Sequence, residues 1–232
     1  MEGKPIIEGL SVKRSHCPRC DEPIYWYRLI PLFSWIVSKA RCTSCGNKIH
    51  WRYPIIEMLS GAVCGASFWY FGFSVEAFLA SILLLWLIAI AVIDFEQKLI
   101  LDVLSLPLLW FGLLVNTQGY FTSLESGVYG AVAGYLLLWL IFHGFKIATG
   151  KDGLGYGDFK LLAAMGAWFG IQSLPTIIII ASITSLLFIM AYRFMKKNDN
   201  ELQFPFGPFI ALPAVLLLFF SDLIPSAKVI FF

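Results

Sequence analysis

Charged residues are scarce in this chain: they make up 14% of its 232 residues, against 59% hydrophobic. A soluble fold of this length leaves about a third of its unfolded surface exposed and has no room to hide so much apolar area. The net charge of +2 is too small to point to nucleic acid by itself. The opening stretch, MEGKPIIEGLSVKRSHCPRC, has no apolar core of signal-peptide length, so no cleaved signal is expected. The segments GFSVE and NTQGYFTSLESG contain no lysine or arginine. No glycine run completes a dinucleotide or P-loop fingerprint, and the context is apolar helix rather than strand–turn–helix.

What is present is apolar length. Runs near 54–72, 77–95, 100–117, 127–147, 159–172, 173–194 and 206–224 predict about seven transmembrane helices, the fifth being short. The expected fold is therefore an all-α polytopic membrane protein. Residues 1–53 are polar, basic and turn-rich and read as a small N-terminal cytoplasmic domain; residues 54–232 read as the transmembrane domain. Threading seven spans from the N-terminal side puts every lysine and arginine except Lys228 on one face. The positive-inside rule makes that face cytoplasmic.

Asp94 ends the second predicted span, in IAIAVIDFEQKLILD, and Asp158 opens the fifth, in GLGYGDFKLL. Two crossings separate them, so both lie at the same membrane face. Ionisable groups at the edge of a transmembrane segment are functional candidates, because burying them unpaired is expensive. Two carboxyls that approach closely share a proton. Such a dyad activates water on one carboxylate while the protonated partner polarises a peptide carbonyl, with no serine, cysteine or metal required. Gly153, Gly155 and Gly157 lack Cβ atoms and so permit close approach of an extended substrate backbone. The plain alternative is that Asp158 caps the helix after it and Asp94 is an interfacial acid.

Neighbouring residues carry two readings each. Lys160 either holds a client's carboxylate or anchors in the headgroups. Glu57, at membrane depth in RYPIIEMLSG, either pairs with Arg52 or contacts substrate. Asp102 reads as the cap of the third span, His143 as a packed or interfacial histidine, and FPFGPF as a kinked entry to the last span or a lining of the site.

Four of the five cysteines form a C-x₂-C-x₂₁-C-x₂-C pattern from Cys17, Cys20, Cys42 and Cys45. Two tight knuckles and four thiolates suit a closed tetrahedral zinc site, structural because no coordination position stays open. Disulfides fit poorly with a reducing compartment. His16 and His50 read as bystanders, and Cys64 as an apolar packing residue. Aromatics in PIYWYRLIPLFSW carry few interleaved basic residues, which argues against a nucleic-acid groove.

In that order, SHCPRC…RCTSCGNKIHWRYPIIE, AVIDFEQKLILD, DGLGYGDFKLLAAMGAWFG and FPFGPFIALPA resemble the bacterial type IV prepilin peptidases. These are leader peptidase/N-methyltransferases of the GxGD aspartyl protease group. The resemblance implies Asp94 and Asp158 as catalytic and the four cysteines as the family's metal site. It also implies cleavage of prepilins or type II secretion pseudopilins behind a basic leader at the cytoplasmic face of the bacterial inner membrane. S-adenosylmethionine then methylates the new N-terminus. Two departures stand out: members begin with an extra membrane helix, which is not expected before the cysteines here, and Arg28–Leu29 replace an acidic or asparagine-rich dipeptide. Both fall in the part associated with methylation. The competing classes are a non-catalytic scaffold for pilus or secretion assembly and an ion-coupled carrier.

Overall fold

The computed structural model describes residues 15–17, 19–25, 30, 32–150, 155–195 and 204–220. Among them there is no β-strand, only helices and two isolated bridges. The chain divides into two compact units, Met1–Ala62 and Val63–Phe232, and the division falls within a helix.

The first unit contains the cysteine knuckles, the short α1 (Phe33–Val37) and the start of α2 (Arg52–Phe71). The second holds the rest of α2 and then α3 (Val75–Gln97), α4 (Asp102–Asn116), α5 (Leu124–Thr149), α6 (Tyr156–Phe169), α7 (Leu174–Met195) and α8 (Gly207–Phe219). The seven helices from α2 to α8 coincide with the seven predicted apolar spans. By length and composition α3, α5 and the stretch Ile171–Met195 are long and apolar enough to cross a membrane, and α4 and α8 are shorter apolar helices.

Local chemistry sets the ends of these helices. Ser74 accepts the N–H of Ala77 to start α3, and Ser123 accepts that of Ser126 to start α5. Each side chain satisfies one of the donors that a first turn leaves without an intrahelical partner. Gly150 closes α5 in the left-handed conformation, φ 70°.

Within the second unit α6 is the central helix: every residue from Leu161 to Phe169 is buried. A helix apolar on all sides is stable only when enclosed, and α4 and α5 enclose it most closely. Small residues bring α5 against it. A Cβ at Gly130 would collide with the Gly166 carbonyl, and one at Gly134 would lie 2.8 Å from the Leu162 carbonyl. Close backbone approach of this kind supplies the van der Waals contact that holds helices together where apolar burial from water gives no drive.

Polar ties fix the two ends of this bundle. At one end Asn116, the last residue of α4, is wholly buried. Its amide donates to the carbonyls of Ala167 (2.8 Å) and Trp168 (3.0 Å) and its oxygen accepts from the N–H groups of Phe121 and Thr122. The Trp168 indole donates to the Leu108 carbonyl at 2.9 Å beside Gly112. At the other end the chain gathers the acids considered next.

Candidate active site and cysteine cluster

Asp94 lies in the last turn of α3. The helix stops after Gln97 because Lys98 turns left-handed (φ 54°) and returns its N–H to the Asp94 carbonyl at 2.8 Å. This C-cap redirects the chain into 99–101, where Ile100 is buried, before α4 begins. Asp158 lies in the first turn of α6, whose N-cap is Gly155.

The structure brings the two aspartates together. Both are buried, 4% and 7% exposed, and one side chain, Ile100, packs against both Gly207, which contacts Asp94, and Gly157, which precedes Asp158. One oxygen of each is held by a glycine peptide N–H. Gly155 donates to Asp158 Oδ2 at 3.1 Å, and Gly207 donates to Asp94 Oδ2 at 2.9 Å across 113 positions of sequence. Both donors sit at a helix start, where N–H groups have no intrahelical acceptor. Gly207 is the first residue of α8 and is followed by Pro208, which has no N–H to offer. A Cβ on Gly207 would stand 2.7 Å from Asp94 Oδ2 and 3.1 Å from Ile100 Cδ1. Chemically, two buried carboxyls, each with one oxygen committed and one left over, suit the shared-proton work of an aspartic dyad.

The other expected residues divide. Gly155 is exposed, with Asp158 Oδ2 3.3 Å from where its Cβ would be, whereas at Gly157 the space a side chain would need is taken by Ile100 of the same chain, 2.6 Å away. Gly153, Arg28 and Leu29 lie outside the described residues. Lys160 makes an ion pair with Asp102, Nζ to Oδ1 2.6 Å. Asp102 is the first residue of α4 and makes no cap hydrogen bond, so its expected capping role is replaced by this pair. His143 is half-buried and packs on Trp139, ring centroids 4.0 Å apart. Glu57, in the first unit, accepts the N–H of Leu32 at 2.8 Å.

Ile100 is the neighbour of the two acids that sequence reasoning missed, whereas Gly207 belongs to FPFGPF, whose reading as a lining of the site left open which residue makes the contact. Its signal was a glycine followed directly by a proline, which marks a helix start with a bare amide. Ile100 gave no signal, because an isoleucine between two helices looks like any other.

In the first unit the knuckles repeat one geometry. Asp21 (φ 52°) and Gly46 (φ 69°) each follow the second cysteine of a pair, turn left-handed, and donate to the first cysteine's carbonyl at 2.9 Å. The Sγ atoms of Cys17, Cys20, Cys42 and Cys45 all lie within 4.8 Å of one another, Cys17 to Cys45 at 3.9 Å. Tetrahedral zinc with bonds of about 2.3 Å needs sulfurs about 3.8 Å apart, so the four residues fit the ion. The peptide N–H groups of Cys45 and Ser44 push the Cys42 thiol down to about 6, toward the thiolate a metal requires. His16 faces Asp21 at 3.7 Å, and the His50 ring accepts the Arg52 N–H; neither belongs to the sulfur cluster.

Comparison with known proteins places both parts. The profile of the Type IV leader peptidase family matches residues 81–190, and that of the Bacterial Peptidase A24 N-terminal domain matches residues 4–71. A protein of Stutzerimonas stutzeri named prepilin leader peptidase/N-methyltransferase is 42% identical over 220 residues, covering 94% of this chain and 76% of its own.

The chain belongs to the type IV leader peptidase family.

Proteins of the same name from Pseudomonas aeruginosa (41% identical over 222 residues; 95% of this chain, 76% of the relative) and Aeromonas salmonicida (43% over 217; 92% and 74%) are similarly close. No solved structure matches. The leader peptidase match contains Asp94 and Asp158, the N-terminal match contains the four cysteines, and Gly207 lies beyond both.

Proposed function

We propose that this protein is a membrane aspartyl endopeptidase that removes the leader from prepilins or pseudopilins, with Asp94 and Asp158 as its catalytic dyad. One observation carries the reading: two buried carboxyls on either side of Ile100, each with one oxygen held by a glycine amide. The residues 1–53 form the metal-binding domain and 54–232 the protease domain.

Hydrolysis needs only water and the two side chains. The ionised aspartate takes a proton from water as the hydroxide adds to the scissile carbonyl carbon, and the protonated aspartate gives its proton to the carbonyl oxygen. The pair then exchanges roles. The first returns its proton to the amide nitrogen, the second takes one from the diol, and the C–N bond breaks to give the leader's carboxyl end and a new amine. The dyad ends in its starting state, so no further reactant is required.

Four thiolates leave zinc no open position, so Cys17, Cys20, Cys42 and Cys45 hold a structural ion. The relatives' name carries a second activity, and S-adenosylmethionine, when bound, supplies the methyl group for the new N-terminus. The one-sided distribution of lysine and arginine supports a dyad end at the cytoplasmic face of the bacterial inner membrane. A basic leader fits that face, and the client's apolar segment stays in the bilayer. Gly155 is the exposed glycine available to the client backbone.

The test is the intact mass of a prepilin with a basic leader after incubation with the purified full chain and S-adenosylmethionine. Loss of the leader with gain of one methyl group is expected. An intact leader overturns the reading and leaves a scaffold or a carrier.

A further inference from the structure

We infer that Gly207 is a positioning residue for the hydrolytic step: its peptide N–H fixes Asp94 through Oδ2, and its missing side chain is what lets Asp94 stand there. The inference rests on the proposed dyad but concerns a residue outside the family match that covers it.

Three observations converge. The N–H of Gly207 reaches Asp94 Oδ2 at 2.9 Å, and both groups are buried. The donor has no competing acceptor, because it opens α8 and its own helix offers none. Any Cβ at this position would fall 2.7 Å from the same oxygen, closer than real Cβ atoms come. A carboxylate, unlike a flexible side-chain tip, cannot yield here without changing the oxygen it presents to water.

Ile100 makes the arrangement rigid. Its Cβ fills the place where a side chain on Gly157 would be, and its Cδ1 lies 3.1 Å from where one on Gly207 would be. One apolar side chain from the turn after Asp94 thus spaces the start of α6, which carries Asp158, from the start of α8. Gly207 touches no substrate in this scheme; it acts through Asp94. The plain alternative is that the glycine only eases the chain into α8 between two prolines.

Gly207→Ala, Asp94→Ala and the double variant of the full chain separate the two. With Gly207→Ala, kcat is expected to fall about a hundredfold, the scale of a misplaced catalytic group. KM should stay within about twofold, and the pH–rate profile of the residual activity should move away from the wild-type one. The thermal midpoint drop caused by Gly207→Ala should shrink in the Asp94→Ala background, where the obstructing carboxylate is gone. If Gly207→Ala alone fails to fold, recovery of folding in the double variant carries the same meaning. Equal midpoint drops in both backgrounds, or kcat within about threefold of wild type, overturn the inference. The midpoint comparison needs no substrate, so it reads Gly207 even if the wild-type chain leaves prepilin uncut.

Discussion

Lys160 Nζ lies 2.6 Å from Asp102 Oδ1, joining the fifth residue of α6 to the first residue of α4. The pair stands two residues from Asp158, with Asp102 more than half exposed. Exposed pairs contribute about 0.2–1 kcal/mol, less at high salt. Lys160→Met is therefore expected to lower stability by under about 1 kcal/mol. Activity, which depends on where α6 starts, should fall more, up to about tenfold in kcat/KM. The exchange Asp102→Lys with Lys160→Asp should recover part of it. Leader cleavage kinetics and denaturation in detergent measure both effects; an exchange no better than the single variant speaks against the pairing.

Asn116 satisfies four backbone groups at the opposite end of the bundle. Asn116→Ala leaves them buried without partners, and Asn116→Asp sets a carboxylate against two carbonyls. Hydrogen bonds inside membrane proteins average well below the cost of an unmet group in water-free surroundings. A loss of about 2–4 kcal/mol is expected from Asn116→Ala, and more from Asn116→Asp. Thermal unfolding in detergent would show it, and an unchanged midpoint would mean the network is not formed.

The contact between α5 and α6 should tolerate no added bulk. Gly130→Val and Gly166→Leu are expected to abolish folded protein, because each side chain enters the facing backbone. Gly144 on the same α5 meets no described atom within 4 Å, so Gly144→Ala should be neutral or slightly stabilising. Yield of monodisperse protein on size exclusion distinguishes the three.

Metal analysis of the purified chain should give one zinc per molecule, and Cys42→Ser should lose most of it. Structural zinc in small sites contributes about 10–16 kcal/mol of apparent binding energy at neutral pH. Chelation is therefore expected to open residues 15–49 to amide exchange. Full protection after complete zinc removal would show that the knuckles stand without it.

Much of this architecture is legible before any coordinates, for a physical reason. Apolar length is a property of each local stretch of sequence, and it gives the helices α2 to α8. The cysteine spacing is equally local: two residues between ligands is a turn, and the turn repeats. What does not show is packing between distant segments. Lys160 and Asp102 are 58 positions apart; the first reads as a hold for a client's carboxylate or a headgroup anchor and the second as a helix cap until α4 and α6 meet. Asp158 reads as the residue before a helix, yet α6 begins at Tyr156 and the carboxyl reaches back to Gly155. FPFGPF reads as a kinked entry to the last span or a lining of the site, and nothing in it says which acid lies across from the Gly207 amide. Glu57 reads as a membrane-depth acid with two possible partners, and the Leu32 N–H that it accepts was neither of them.

The central claim is that Asp94 and Asp158 together break the peptide bond. Its most direct test is the rate of leader removal from a purified prepilin by the wild-type chain and by Asp94→Asn and Asp158→Asn, each with its thermal midpoint. The account predicts a cut client with the wild type and, with either folded variant, a rate lower by at least about a thousandfold. A folded Asp94→Asn or Asp158→Asn protein that still removes the leader at near wild-type rate would contradict it.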